Sequence, residues 1–135
     1  MAELFSDTWM QGYQDAWNNE PELSDALANI NFNSKIGYGF LNEEKPRGIL
    51  VVESGKVTSA STYNDESLNW DLRASPENWK KWFDKGLGMA GLGMAYVQGK
   101  LKFKVGDYTA MIKDPRMAGP FVKSFTVMGR VGRDE

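Results

Sequence analysis

The sequence contains neither cysteine nor histidine in its 135 residues. This excludes Ser-His-Asp and Cys-His nucleophiles, zinc held by imidazole or thiolate, haem on a proximal histidine, iron–sulfur clusters and disulfide bonds. No pair of acids has the spacing of an EF-hand loop either. We therefore expect no metal and no cofactor, and any catalysis is limited to carboxylate, lysine, tyrosine, serine or threonine side chains.

Long apolar runs are also absent. The longest uncharged stretch, residues 86–99, is shorter than the about 18 residues that suggest a membrane span, and it is rich in glycine. Residues 1–7 have neither the basic start nor the apolar centre of a signal peptide. These features predict a cytoplasmic protein.

Charge is distributed unevenly, although the formal net charge is only −2. Residues 1–34 carry six acidic side chains and no basic one, whereas the rest of the chain carries 16 basic and 12 acidic side chains, a balance of +4. This distribution argues against a nucleic-acid partner. A solvated mixture of charges explains it, and a cationic surface for an anionic head group or a lipid surface is the alternative.

The first part of the sequence shows the residue spacing of a helix. Aromatic residues recur at every fourth position within residues 3–18, which predicts an amphipathic helix with one aromatic face. The four are Phe5, Trp9, Tyr13 and Trp17. Pro21 ends this helix and can open a second short one, because proline is tolerated in the first helical turn.

Alternation of apolar residues follows and is typical of strands. Further on, Ser75, Asp107 and Asp114 each mark the start of a helix, because short polar side chains cap helix N-termini. Residues 87–97 form one more predicted helix. The strands are predicted near residues 32–41, 48–53, 56–63, 68–73 and 100–105.

The predicted order of elements is α-α-β-β-β-β-α-α-β-α-α, in a single domain of residues 1–135, since no repeat or low-complexity linker divides the chain. Strands that cluster rather than alternate with helices favour an α+β fold. We predict a five-stranded, largely antiparallel sheet covered by helices on one face.

Residues 86–91 match the pattern Gly-x-Gly-x-x-Gly. In a dinucleotide site this pattern follows a strand, so that the backbone can approach the pyrophosphate. Here it follows the predicted helix that begins after Ser75. It therefore indicates a helix end followed by closely packed small residues, and we predict no nucleotide cofactor.

Methionine and phenylalanine are concentrated in the second half of the chain. Flexible, polarisable methionine side chains suit walls that accommodate ligands of varied shape, although such residues also fill cores. Four of them fall on one side of the last predicted helix, which can close an apolar cavity as a hinged lid or dock permanently. These four are Met117, Phe121, Phe125 and Met128.

Lys100, Lys102 and Lys104 share one face of the fifth predicted strand. Exposed lysines protect an edge strand against pairing with another chain, which is one explanation for this face. Attraction of anionic lipid head groups is the functional alternative.

Several short motifs keep the order and spacing of a known family. They are the helix entry Ala74-Ser75-Pro76-Glu77-Asn78-Trp79, the closing Lys85-Gly86, and Tyr96-Val97-Gln98-Gly99-Lys100-Leu101-Lys102-Phe103 followed by Gly106-Asp107. With these motifs, residues 71–125 resemble the sterol carrier protein type-two (SCP-2 sterol-transfer) family of lipid-binding domains. The element order is similar over nearly the whole chain.

The resemblance implies an apolar cavity or tunnel, enclosed by sheet and helices, that holds a fatty acid, a fatty acyl-CoA, a sterol or another lipid without catalysis. The chain departs from eukaryotic members in ending without Ser-Lys-Leu, which predicts a bacterial-type cytoplasmic protein. Its glycine-rich fourth helix is a second departure, which bears on the shape of the cavity.

We therefore predict a non-enzymatic carrier for an apolar small molecule, with transient contact with a membrane surface as a further possibility and with no nucleic-acid partner. The sequence leaves the identity of the lipid and the oligomeric state open. The candidate ligand-binding residues are Trp82, Phe83, Met94, Gln98, Phe103, Met111, Met117, Phe121 and Phe125, with Gln98 as the polar candidate.

Two alternatives remain at this point. One is a small α+β enzyme that acts on an apolar substrate through Asp71 with Tyr38 or Tyr63 as acid and base. The other is an interaction domain whose aromatic first helix, with Trp9 at its centre, binds a partner protein through an exposed stripe.

Overall fold

A computed structural model describes residues 3–131. Residues 1–2 and 132–135 lie outside the described residues. The expected cytoplasmic location depends partly on these residues and stays a prediction. The predicted order of helices and strands is confirmed throughout. The elements are α1 (Asp7–Asn18), α2 (Ser24–Ala28), β1 (Ser34–Phe40), β2 (Gly48–Glu53), β3 (Lys56–Thr62), β4 (Trp70–Ala74), α3 (Pro76–Lys85), α4 (Met89–Val97), β5 (Lys102–Val105), α5 (Tyr108–Lys113) and α6 (Pro115–Met128).

Short polar side chains start most of the longer helices. Ser6, Ser75, Asp107 and Asp114 each accept a backbone N–H bond at the first turn of α1, α3, α5 and α6. Three of these caps follow from the sequence pattern, but the start of α1 does not. That helix begins at Asp7 rather than near Glu3, because Ser6 accepts the N–H of Trp9.

The five strands form one mixed sheet in the order β3-β2-β1-β4-β5. β1 and β4 are parallel, and the other three neighbouring pairs are antiparallel. Ser54 and Gly55, both at positive φ, make the tight turn between β2 and β3. The prediction of a largely antiparallel five-stranded sheet is thus confirmed, with the parallel pair at its centre.

The helices cover one face of this sheet. Tyr38 and Phe40 of β1 point to that face and contact Phe5, while Trp79 of α3 packs on Tyr38 and donates its indole N–H to the carbonyl of Gly39 at 2.9 Å. On the other face Pro46 packs against Gly37 and Gly39, where a side chain would collide with it. A loop rather than a helix therefore covers that side of β1.

The aromatic stripe of α1 lies in the core rather than on the surface. Phe5, Trp9, Tyr13 and Trp17 are all buried, and Trp9 stacks against Phe83 with ring centroids 6.0 Å apart. The interaction-domain alternative required this stripe to be exposed and is therefore wrong. Among residues 3–131, no helix is long and apolar enough to cross a membrane.

Candidate functional site

An apolar cleft, called here the inner cleft, lies between the centre of the sheet and the last two helices. β1 and β4 form its floor, α5 and α6 cover it, and α1 and α2 close one side. Alternation along the strands explains the floor, because every second residue points towards the helices. Its lining residues are Trp17, Leu23, Leu27, Phe32, Ile36, Tyr38, Trp70, Leu72, Met111, Met117, Pro120, Phe121 and Ser124.

A second, wider depression, called here the outer groove, continues the inner cleft to the surface. It adds Ser34, Asn69, Gly106, Asp107 and Ala110 to the wall. Its volume is about 430 Å³, against about 40 Å³ for the inner cleft. Phe32, Trp70, Met111 and Met117 line both, so the two spaces share one boundary of apolar side chains.

The inner end of the cleft is polar at one point. The hydroxyl of Tyr38 lies 3.1 Å from that of Tyr13, and the hydroxyl of Ser124 interacts with Tyr13 in turn. Burial raises the pKa of both phenols well above the ordinary value, and their mutual contact adds to the rise at Tyr13. These groups stay neutral and can exchange hydrogen bonds with an uncharged oxygen.

The cover of the cleft has a weak point within α6. Pro120 lies inside this helix and removes one backbone hydrogen bond, while a side chain added at Gly119 would meet no atom within 4 Å. After this point Phe125, Val127 and Met128 are fully buried. The last two turns of α6 are therefore held by the core.

Three of the residues singled out by sequence come together at the site. Met111 of α5 and Met117 and Phe121 of α6 line the inner cleft. Phe103 of β5 lies just behind them, with its ring 5.9 Å from that of Phe121 and 6.0 Å from that of Trp70. One cluster thus contains four of the nine candidates.

The other five candidates lie elsewhere. Trp82, Phe83 and Phe125 belong to the packed core around Trp79 and do not line the cleft. Met94 and Gln98 lie on the exposed side of α4 and its end. Position in the fold distinguishes these three groups of residues, since Met111 of the cleft wall is as buried as Trp82 and Phe83 of the core.

Much of the cleft wall comes from the first half of the chain, which sequence reasoning did not assign to the site. Leu23 and Leu27 come from the buried side of the α2 region, and Ile36 and Leu72 from β1 and β4. The periodicity that places them inside does not tell a cavity wall from a filled core. Trp70 carried a usable signal, since a tryptophan near a strand end is suited to a groove rim. In the structure its indole N–H donates to the hydroxyl of Ser34 at 3.2 Å.

The acid–base pair of the enzyme alternative is not assembled. Asp71 is opposite Gly37 in the sheet, on the face away from Tyr38, and its carboxylate accepts two bonds from the buried Arg73 at 2.6 and 3.0 Å. Arg73 also donates to the carbonyls of Phe40, Glu43 and Glu44. Asp71 is therefore part of an ion pair that holds the loop over the sheet, and the assignment of Asp71 with Tyr38 is wrong.

Tyr63, the other partner considered for Asp71, donates its hydroxyl to the carbonyl of Glu66 at 2.8 Å. This bond closes the turn between β3 and β4. The phenol is thus already used in a local loop contact, outside the lining of the inner cleft and outer groove.

Comparison with known proteins gives matches in structure. No family model matches the sequence, and a search of curated proteins finds no match. The crystal structure of sterol carrier protein 2 is 18% identical with a TM-score of 0.76, and the match covers 96% of this chain and 100% of that one. The solution structure of a conserved hypothetical protein from Thermus thermophilus is 16% identical with a TM-score of 0.66, covering 95% and 91%.

A third match is a UbiJ-SCP2 ubiquinone synthesis protein, 13% identical with a TM-score of 0.59, covering 88% of this chain and 86% of that one. All three matches extend over most of both chains, so they include the sheet and the helices that enclose the cleft. At the level of the fold the resemblance read from residues 71–125 is confirmed. The chain has a sterol carrier protein 2-like fold.

Proposed function

We propose that the chain is a non-enzymatic carrier that takes a lipid or other apolar ligand out of water into the inner cleft. A fatty acid, a fatty acyl-CoA or a sterol-like molecule fits this description. The observation that carries the proposal is the continuous apolar wall from the outer groove to the hydroxyl pair at the inner end. The sterol carrier protein 2-like fold supports it.

The expected driving force is removal of apolar ligand surface from water, at about 0.8 kcal/mol for each buried methylene group. The hydroxyls of Tyr38 and Ser124 then hydrogen-bond an oxygen of the ligand. Because no charged side chain lines the inner cleft, an ionised head group is expected to stay outside it, towards the solvent side of the outer groove.

The cleft must widen for such a ligand to enter. Its volume of about 40 Å³ is far below the roughly 300–1,000 Å³ of sites that bury a drug-sized ligand. We propose that α5 and the first half of α6 move outward together, with the bend at Gly119 and Pro120. The buried second half of α6 stays on the core and limits the movement.

This lid proposal is tested by Gly119→Ala. Alanine fits there without a collision and is favoured over glycine in a helix by about 1 kcal/mol, so it stiffens the bend. We expect ligand release, measured by stopped-flow displacement of a fluorescent fatty acid, to slow severalfold. Gly93→Ala in α4 is the matched control, because it also adds a methyl group within a helix without a collision, with only the hydroxyl oxygen of Tyr108 nearby, at 3.8 Å. Equal rates for both variants would contradict the lid.

The carrier proposal is tested by native mass spectrometry of the purified protein and by displacement of a fluorescent fatty acid. We expect co-purified apolar molecules and saturable displacement. Met117→Glu places a charge in the cleft wall and is expected to weaken binding at least tenfold. Met94→Glu makes the same change at an exposed position and is expected to bind like the unmodified protein. Protein that is always empty and displaces no probe would rule the proposal out.

A further inference from the structure

Helix α4 is apolar on all sides although it lies at the surface. Its sequence Met89–Val97 contains no charged residue and no side chain more polar than that of Tyr96. Leu92 and Ala95 are buried and attach the helix to the core. A surface helix of a globular protein usually presents polar residues on its outer side, and α4 does not.

The outer side of α4 exposes large apolar side chains. Helical spacing places Met94 and Val97 on the side opposite Leu92 and Ala95, with Met89 and Tyr96 at the flanks of that side. Val97 is 79% exposed and Met94 is 55% exposed. Together with Val105 at the end of β5, these are the mainly exposed large apolar side chains among residues 3–131. We call these five residues the α4 surface.

Basic residues precede and follow the α4 surface in the sequence. Lys85 precedes α4, Lys100 follows it, and Lys102 and Lys104 lie on β5; all four are exposed. Residues 85–106 contain no acidic side chain, so this segment carries +4. In contrast, residues 1–34 carry −6 and include α1, which packs on β3 at the opposite edge of the sheet. Three of those six acids, Glu3, Glu20 and Glu22, form ion pairs with Arg47, Arg130 and Lys123. The apolar and basic edge at α4 and β5 is therefore distinct in charge from the edge at α1 and β3.

We propose that the α4 surface and its four lysines dock on an anionic lipid bilayer. Apolar side chains enter the boundary between head groups and acyl chains, while lysines near the surface are attracted to anionic head groups. The charge pattern favours this occupant over a second copy of the chain, because two such surfaces would bring two segments of +4 together. The proposal goes beyond ligand carriage and does not depend on it.

A chain of aromatic contacts links the docking surface to the cleft. Tyr96 stacks on Tyr108 of α5 with ring centroids 3.9 Å apart, and Tyr108 contacts Phe103 at 5.4 Å. Phe103 contacts both Phe121 of the inner cleft and Trp70 of the outer groove. A bilayer seated on α4 would thus lie beside α5 and the mouth of the outer groove.

The absence of cysteine makes a direct test simple, because one introduced cysteine carries a single label. Val97→Cys labelled with an environment-sensitive NBD dye is mixed with vesicles of phosphatidylcholine or of equimolar phosphatidylcholine and phosphatidylglycerol. We expect a blue shift with the anionic vesicles. Ser59→Cys, exposed on β3 at the opposite edge of the sheet, is the matched control and is expected to show none.

Two double variants distinguish the effect of charge beside α4 from the effect of the net charge of the protein. Lys102→Glu with Lys104→Glu is expected to weaken binding to the anionic vesicles at least tenfold in a co-sedimentation assay. Lys35→Glu with Lys56→Glu makes the same change in net charge on β1 and β3 and is expected to have a much smaller effect. Met94→Ser with Val97→Ser should also weaken binding while leaving the unfolding midpoint nearly unchanged, because both side chains are exposed.

Three results would overturn the proposal. First, the emission of the label at position 97 could stay unshifted with anionic vesicles. Second, the emission of the label at position 59 could shift equally, which would mean that another surface docks. The label at Val97 could instead shift without vesicles as protein concentration rises, which would mean that a second copy covers α4. Ligand displacement in solution, measured on the same variants, is expected to be unchanged and separates this test from that of the carrier proposal.

Discussion

The hydroxyl oxygens of Tyr13 and Tyr38 lie 3.1 Å apart, with both side chains buried, where α1 meets the centre of the sheet. Tyr38 lines the inner cleft and Tyr13 lies behind it. Ser124 of α6 interacts with Tyr13 and donates to the carbonyl of Phe121. The cover of the cleft is thus connected through hydroxyl groups to the first helix and to the central strand.

We expect Tyr13→Phe to lower the free energy of unfolding by about 1–3 kcal/mol, since it leaves the buried hydroxyl of Tyr38 without this partner, and Tyr38→Phe to lower it by less, since the hydroxyl of Tyr13 keeps Ser124. The double variant should lose less than the sum, because both partners are then gone. Tyr38→Phe alone should also weaken binding of ligands with a hydroxyl or carbonyl oxygen. Denaturant unfolding and probe displacement measure these effects; additive losses would contradict the pairing.

Alkaline pH should destabilise the protein through the same two residues. Their pKa values are raised in the folded state, so the stability that they contribute is complete below the unfolded value of about 10 and is lost as pH rises towards the folded values. Denaturant midpoints measured from pH 8 upward should therefore fall above about pH 10. The variant with phenylalanine at both positions should show a shallower fall, and an equal fall would contradict this origin.

Gly106→Ala should disturb the outer groove. Gly106 has φ 103°, and a side chain there would collide with the ring of Trp70. Gly99→Ala is the matched control, because Gly99 has φ 74° but only Lys102 within 4 Å of the added atom, at 3.8 Å. Both should lose stability by about 1–2 kcal/mol from backbone strain. We expect Gly106→Ala alone to shift the Trp70 indole N–H resonance and to weaken ligand binding.

Asp71→Asn should destabilise the fold without changing the site. It leaves Arg73 buried without its carboxylate, at a cost of about 3 kcal/mol or more. Asp65→Asn breaks the exposed pair with Lys45 and should cost less than about 1 kcal/mol; asparagine also tolerates the positive φ of that position. Ligand affinity of the folded Asp71→Asn protein should be unchanged. A loss of ligand affinity without a loss of stability would contradict this assignment and would indicate that Asp71 belongs to the ligand site.

The elements that the sequence predicts well are those with local signals. The tight turn at Ser54 and Gly55, between the strands predicted near residues 48–53 and 56–63, and the helix start at Ser75 involve contacts within a few residues, and both agree with the prediction. Helix α1 was placed correctly but started too early. The cap at Ser6 decides its start, and a single hydroxyl among polar residues is a weak signal.

The candidate site was predicted in part, for an identifiable reason. Met111 and Met94 are both methionines with apolar neighbours in the sequence. Met111 nevertheless lines the cleft, whereas Met94 is exposed. The uniform apolarity of α4 gives no preferred face, so periodicity cannot orient it. In α6 the spacing of Met117 and Phe121 does indicate a face, and there the prediction and the cleft wall coincide.

The sequence by itself determined the order of the elements, the α+β class, the largely antiparallel sheet and the absence of thiol and imidazole chemistry, because periodicity, turn residues and composition are local properties. Tertiary structure decided that β1 lies beside β4, that the aromatic stripe of α1 is core, that Asp71 pairs with Arg73 and that the outer side of α4 is left uncovered. Each of these depends on which distant segments pack together, and burial of apolar surface by distant partners leaves no distinct mark on the residues themselves.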